Sequence, residues 1–78
     1  MALKKIILNI LYDQLTDPQT EGWIHKGQIE KEMMERGFMG DTTSRRLREL
    51  EAEGKIESKP YNGSKKYRYS GLVVKPSD

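Results

Sequence analysis

Asn62-Gly63 constrains the fold of this chain more than any other dipeptide in it. A type I′ turn needs positive φ at both central positions, and Asn-Gly supplies them at little cost. Between extended segments the pair therefore marks a two-residue β-hairpin. The flanking residues suit strands. Lys55 to Tyr61 leads into the turn and Ser64 to Ser70 leads out. Strand alternation puts Tyr67 and Tyr69 on one face and Lys66 and Arg68 on the other.

Upstream of the hairpin the apolar period changes from two to that of a helix. Leu3, Ile6, Ile7, Ile10 and Leu11 fall on one helical face, and Leu15 extends it. Asp17-Pro18 stops this first helix, because a residue before proline is pushed out of the helical region. Gln19 to Gly22 reads as loop, and Trp23-Ile24-His25 as a short segment able to pair along a sheet edge. From Lys26 to Arg36 the helical pattern returns, with Ile29 and Met33 one turn apart and His25 and Gln28 at capping-box spacing. Gly37 suits a left-handed cap, with Phe38 as its apolar contact. Asp41 is the expected N-cap of a third helix, with Ser44 a weak box partner. Thr43, Leu47 and Leu50 form its inner side, and Gly54 closes it. The order is helix, short edge strand, helix, tight turn, helix, hairpin: an α+β chain whose central helices form a helix-turn-helix.

Seventy-eight residues make one domain, taken as residues 1–71 with a short tail at 72–78. Within that tail Leu72-Val73-Val74 suits a last short strand, and Lys75 to Asp78 reads as frayed. A domain of this size is marginal without a staple, and the chain has no cysteine to provide one. The opening MALKKIILNILYDQL lacks a small-residue cleavage site and is interrupted by Asn9, Tyr12 and Asp13, so it reads as a helix and not as a signal peptide. No stretch approaches the roughly 20 apolar residues of a membrane span. A cysteine-free chain with no targeting signal is expected in the cytoplasm.

The net charge is only +2, and its distribution says more than its size. Arg45, Arg46 and Arg48 open the third helix, whereas Glu49, Glu51 and Glu53 end it. This is the reverse of what a helix dipole favours. The hairpin segment then carries Lys55, Lys59, Lys65, Lys66 and Arg68 against Glu57 alone.

Residues 3–70 resemble the winged-helix (winged helix-turn-helix) DNA-binding superfamily. Gly22-Trp23-Ile24, Ile29 and the stretch TTSRRLRELEAEGKI carry the resemblance, the last being similar to a recognition helix that runs into a strand. It implies three helices plus a C-terminal β-hairpin wing with a short edge strand, a recognition helix in the major groove, and a wing on the DNA backbone. Many dimeric members add a long helix after the wing, which is lacking here, so a homodimer and a protein partner both stay open.

On a helical wheel Arg45 lies nearly opposite the inner side, with Arg48 beside it. Both guanidinium forks match guanine O6 and N7, so Arg45 and Arg48, with Thr42 at the helix start, are the candidate base contacts. Ser44 and Arg46 on the helix, with Lys59, Asn62, Ser64, Lys65, Lys66 and Arg68 on the hairpin, are the candidate backbone contacts. If the four hairpin cations each met a phosphate, log K against log salt would fall with a slope of about −3 to −4 from them alone.

Blander readings compete. Arg45–Glu49, Arg46–Glu49 and Arg48–Glu51 have ion-pair spacing on a solvated helix. Lysines on a hairpin also guard strand edges. Tyr67 and Tyr69 read as sheet packing, with Tyr61 able to stack on sugars or bases. Met33, Met34 and Met39 read as gap-fillers. His25 has no companion for a metal site, no cofactor is implied, and no nucleophile–base or paired-carboxylate constellation suggests an enzyme. Double-stranded DNA is the expected partner. A protein-interaction module in a larger assembly and binding of structured RNA are the alternatives.

Overall fold

The computed structural model describes residues 3–70. The elements are α1 (Leu3–Asp13), β1 (Ile24–His25), α2 (Lys26–Glu35), α3 (Gly40–Ala52), β2 (Ile56–Tyr61) and β3 (Ser64–Tyr69). The strands make one antiparallel sheet in the order β1-β3-β2. The expected strand at Leu72 to Val74 and the tail at 72–78 lie outside the described residues.

The hairpin forms where the sequence asks for it. Asn62 and Gly63 have φ of 47° and 77°, and Tyr61 pairs with Ser64 across them. Pro60 is tolerated because β2 is an outer strand, where a missing N–H leaves no ladder bond unmade. β1 is only two residues long, yet it pairs Ile24 with Tyr67 and His25 with Lys66, as the edge reading expects.

One core joins all six elements. Ile7, Leu8, Ile10 and Leu11 of α1 meet Ile24, Ile29, Met33, Leu47, Leu50, Ile56 and Tyr67. Leu8 is buried although the periodicity leaves it off the inner face, and Leu3 and Ile6 are only partly buried against the core. α1 stops at Asp13, and tight i to i−3 bonds (Gln14 N–H to Leu11 O, Leu15 N–H to Tyr12 O) carry Leu15 instead of a further helical turn.

Both central helices end as their glycines require. In α2 the Gly37 N–H donates to Met34 O and the Phe38 N–H to Met33 O. In α3 the Gly54 N–H donates to Glu51 O and the Lys55 N–H to Leu50 O. These are paired Schellman bonds, with Gly37 and Gly54 at φ of 90° and 77°.

The helix starts differ from expectation. His25 caps α2, its Nδ1 accepting from the Gly27 N–H at 3.0 Å, but Gln28 turns to Glu32 and leaves the box half made. α3 starts at Gly40 with Met39 as an N-cap that lends no side-chain bond, so Asp41 sits in the first turn. The Schellman ending of α2 uses Gly37 and Phe38, which leaves Met39 as the extended residue from which α3 sets out. Asp41 still suits the position through the helix dipole. No helix among the described residues is long and apolar enough to cross a membrane.

Candidate nucleic-acid interface

α3 divides by face and by end. Thr43, Leu47 and Leu50 are fully buried, while Arg45 and Arg48 are exposed on the outside. Thr42 and Ser44 are half-buried near the helix start. Of the three ion pairs that the spacing allows, only Arg46–Glu49 forms, at 2.6 Å. The guanidinium groups of Arg45 and Arg48 hold no carboxylate and no hydrogen-bond partner among the described residues.

The acidic end is occupied by other elements. Lys4 of α1 reaches Glu53 at 2.6 Å and Glu49 at 3.3 Å, Lys55 reaches Glu53 at 3.5 Å, and the Ser58 hydroxyl of β2 donates to Glu51 at 2.7 Å. The hydrogen bond from Arg46 holds the Glu49 carboxyl below its ordinary value, with Lys4 adding to it and desolvation opposing. The hydrogen bond from Lys4 does the same for Glu53. The reversed charge of α3 thus has a structural reason at one end, where its acids fasten α1 and β2. At the other end Arg46 is held by Glu49, while Arg45 and Arg48 fasten nothing among the described residues.

The hairpin cations separate by strand parity. Lys65 shares a face with Tyr67 and Tyr69, the face that packs against the helices, where Tyr12 meets Tyr69 edge-on at 5.4 Å. Lys65 is exposed there and holds no ion pair or hydrogen bond among the described residues. Lys59, Lys66 and Arg68 lie on the opposite, outer face. Lys59 stands 4.3 Å from the centre of the Trp23 ring, Arg68 4.6 Å from the same ring, and Lys66 3.9 Å from the Tyr61 ring. Arg68 also pairs with Glu57 at 2.9 Å. Gly22, at φ 87°, lets its stem pass, since a Cβ there would meet Arg68 Cδ at 3.1 Å. Asn62 is exposed at the turn, and Ser64 is half-buried beside it.

Of the candidate contacts, Thr42, Ser44, Arg45 and Arg48 thus lie on α3, Asn62 and Lys65 at the hairpin tip, and Lys59, Lys66 and Arg68 on the outer sheet face. Trp23 belongs to this last set and not to the core. The alternation of the sheet foretells its neighbours, but its own position just before β1 carries no periodic signal. Met33 is buried as a gap-filler, whereas Met34 and Met39 are 62% and 72% exposed. No protein-family model matches this chain, and neither does any curated protein or any solved structure.

Proposed function

We propose that the chain is a winged helix-turn-helix that binds double-stranded DNA, as a small cytoplasmic transcriptional regulator and not as an enzyme. The observation that carries this reading is the pair of exposed arginines on α3 that have no partner among the described residues. Glutamates stand at ion-pair spacing from both, and those glutamates are committed to Lys4, Arg46 and Ser58 instead. α3 enters the major groove, where Arg45 and Arg48 meet guanine edges and Thr42 a neighbouring base. Each bidentate arginine contact discriminates by roughly 1–3 kcal/mol. Ser44 meets a phosphate near the helix start, and Asn62 and Lys65 at the hairpin tip meet the backbone. Arg46, held by Glu49, contributes charge but not a free fork.

Fluorescence anisotropy with labelled duplexes at low salt tests the reading. Saturable binding that Arg45→Glu weakens is expected. Absence of binding, or equal binding by both proteins, contradicts it.

The exposed Met34 and Met39 favour a second reading, a module that docks on another protein through the α2–α3 turn. Retention of duplex binding after Met34→Lys/Met39→Lys separates the two.

A further inference from the structure

We propose that the outer sheet face carries a second binding site, separate from α3, that takes an unpaired nucleobase together with its phosphate. An open cleft of about 530 Å³ lies where this face meets α2. Trp23, His25 and Tyr61 line it with three ring systems, and Lys66 adds a cation. His25 and Tyr61 meet edge-on, with ring centres 5.7 Å apart. Lys59 and Arg68 reach the Trp23 ring as well, so aromatic faces and positive charges alternate along one surface. That alternation recognises unpaired nucleotides, because every base has a π-face to stack and every phosphate a charge to answer.

The details point to both halves of such a ligand. Among the described residues Lys59 and Lys66 have no carboxylate partner and rest on rings only. A lysine over a ring is a loose occupant, since it keeps a flexible four-carbon stem and a strongly hydrated head. A base that slides over the ring replaces it by stacking and leaves the ammonium beside the phosphate. Gln14, Gln28 and Glu32 stand on the cleft wall. The Gln28 amide donates to the Glu32 carboxylate at 3.4 Å, so the Gln14 carboxamide is the one that offers both a donor and an acceptor to a base edge. Glu32 offers an acceptor and leaves the phosphate to the lysine side of the cleft. An uncharged ring would leave the lysines unanswered, and a bare phosphate would leave the rings unused. Bases stacked within a duplex have no free face to offer, so this site does not compete for the DNA that α3 would bind. Free nucleotides and single strands share the chemistry.

Trp23 is the only tryptophan in the chain, so its emission reports stacking in this cleft directly. The full chain is titrated with adenosine monophosphate and, separately, with a short single-stranded oligoadenylate. Saturable quenching is expected, weakened about fivefold or more by Tyr61→Ala and by Lys66→Gln but not by Arg45→Ala. Circular dichroism checks that each variant is folded, and Lys66→Gln alone decides if Tyr61→Ala is not. Quenching by the oligonucleotide alone assigns a strand as the ligand, and quenching by the monophosphate assigns the base-phosphate unit itself. No saturable quenching by either, or quenching that both cleft variants leave intact, overturns the site. Because Arg45→Ala is silent here, failure of this site and failure of duplex binding are told apart.

Discussion

Arg45 and Arg68 are both arginines on cationic surfaces of the same small domain, and their surroundings differ in every respect. Arg45 projects from the outside of α3 with no carboxylate, ring or carbonyl among the described residues to hold it. Arg68 is pinned by Glu57, lies over Trp23, and runs its stem along the bare backbone of Gly22. Recruiting Arg68 to a phosphate would cost its ring contact, about 0.5–1 kcal/mol, together with its ion pair. Recruiting Arg45 costs only the ordering of its own side chain. Positive charge along a sequence is therefore a poor guide to a binding surface until one knows which charges are already spoken for.

The largest effect should come from removing the free set. Arg45→Glu/Arg48→Glu is expected to weaken duplex binding at low salt by more than about a hundredfold, since two base contacts of roughly 1–3 kcal/mol each are lost and repulsion is added. Thermal stability should stay within about 0.5 kcal/mol of the wild type, because both side chains are exposed and have no partner among the described residues. In the same titrations Lys65 is the hairpin cation that meets a phosphate, so Lys65→Gln should make the slope of log K against log salt shallower by about 1. A shallower slope from Lys59→Gln or Lys66→Gln as well would mean that the outer face joins it.

Arg68→Ala should show the converse. Loss of the ion pair and of the packing on Trp23 is expected to cost about 1–2 kcal/mol in urea unfolding, with duplex affinity changed less than threefold. A large loss of affinity at unchanged stability would break the distinction between the two surfaces.

Much of this division was legible beforehand, and the parts that were not have identifiable physics. Asn62-Gly63 announces its turn through φ alone, and Gly37 and Gly54 announce helix ends in the same way, so all three stand where expected. The inner side of α3 follows from spacing. Strand alternation separates Lys66 and Arg68 from Tyr67 and Tyr69, and it also separates Lys65 from Lys66. Charge counting blurs the latter division by treating the hairpin as one basic segment. What no local pattern reveals is long-range. Lys4 lies 49 residues from Glu53 in the chain, and their contact explains the acidic end of α3. Asp41 is a good cap by residue type, yet the α2 ending, not the residue, sets where α3 begins.

The smallest expected effect concerns that long-range contact and serves as a control on the free arginines. The hydrogen bond to Glu53 raises the Lys4 pKa above 10.5, with desolvation opposing and Glu49 adding. Glu49 and Glu53 are lowered from 4.5. The carboxylates thus contribute stability above pH 4.5 and lose it as the pH falls through their lowered values. Lys4 contributes below pH 10.5 and loses it as the pH rises through its raised value. Lys4→Met should therefore lower the unfolding midpoint modestly between these limits, and the difference from wild type should shrink in acid. A difference that persists at pH 2 would mean that Lys4 acts through its stem and not its charge.

The most direct test of the central claim is a chemical-shift map of the nitrogen-labelled chain during titration with a short DNA duplex. The expected result is movement at Thr42, Arg45 and Arg48 on α3 and at Asn62 and Lys65 on the hairpin tip, while the Trp23 indole N–H stays still. Movement centred on Trp23, Lys59 and Arg68, or no movement at α3, would contradict it.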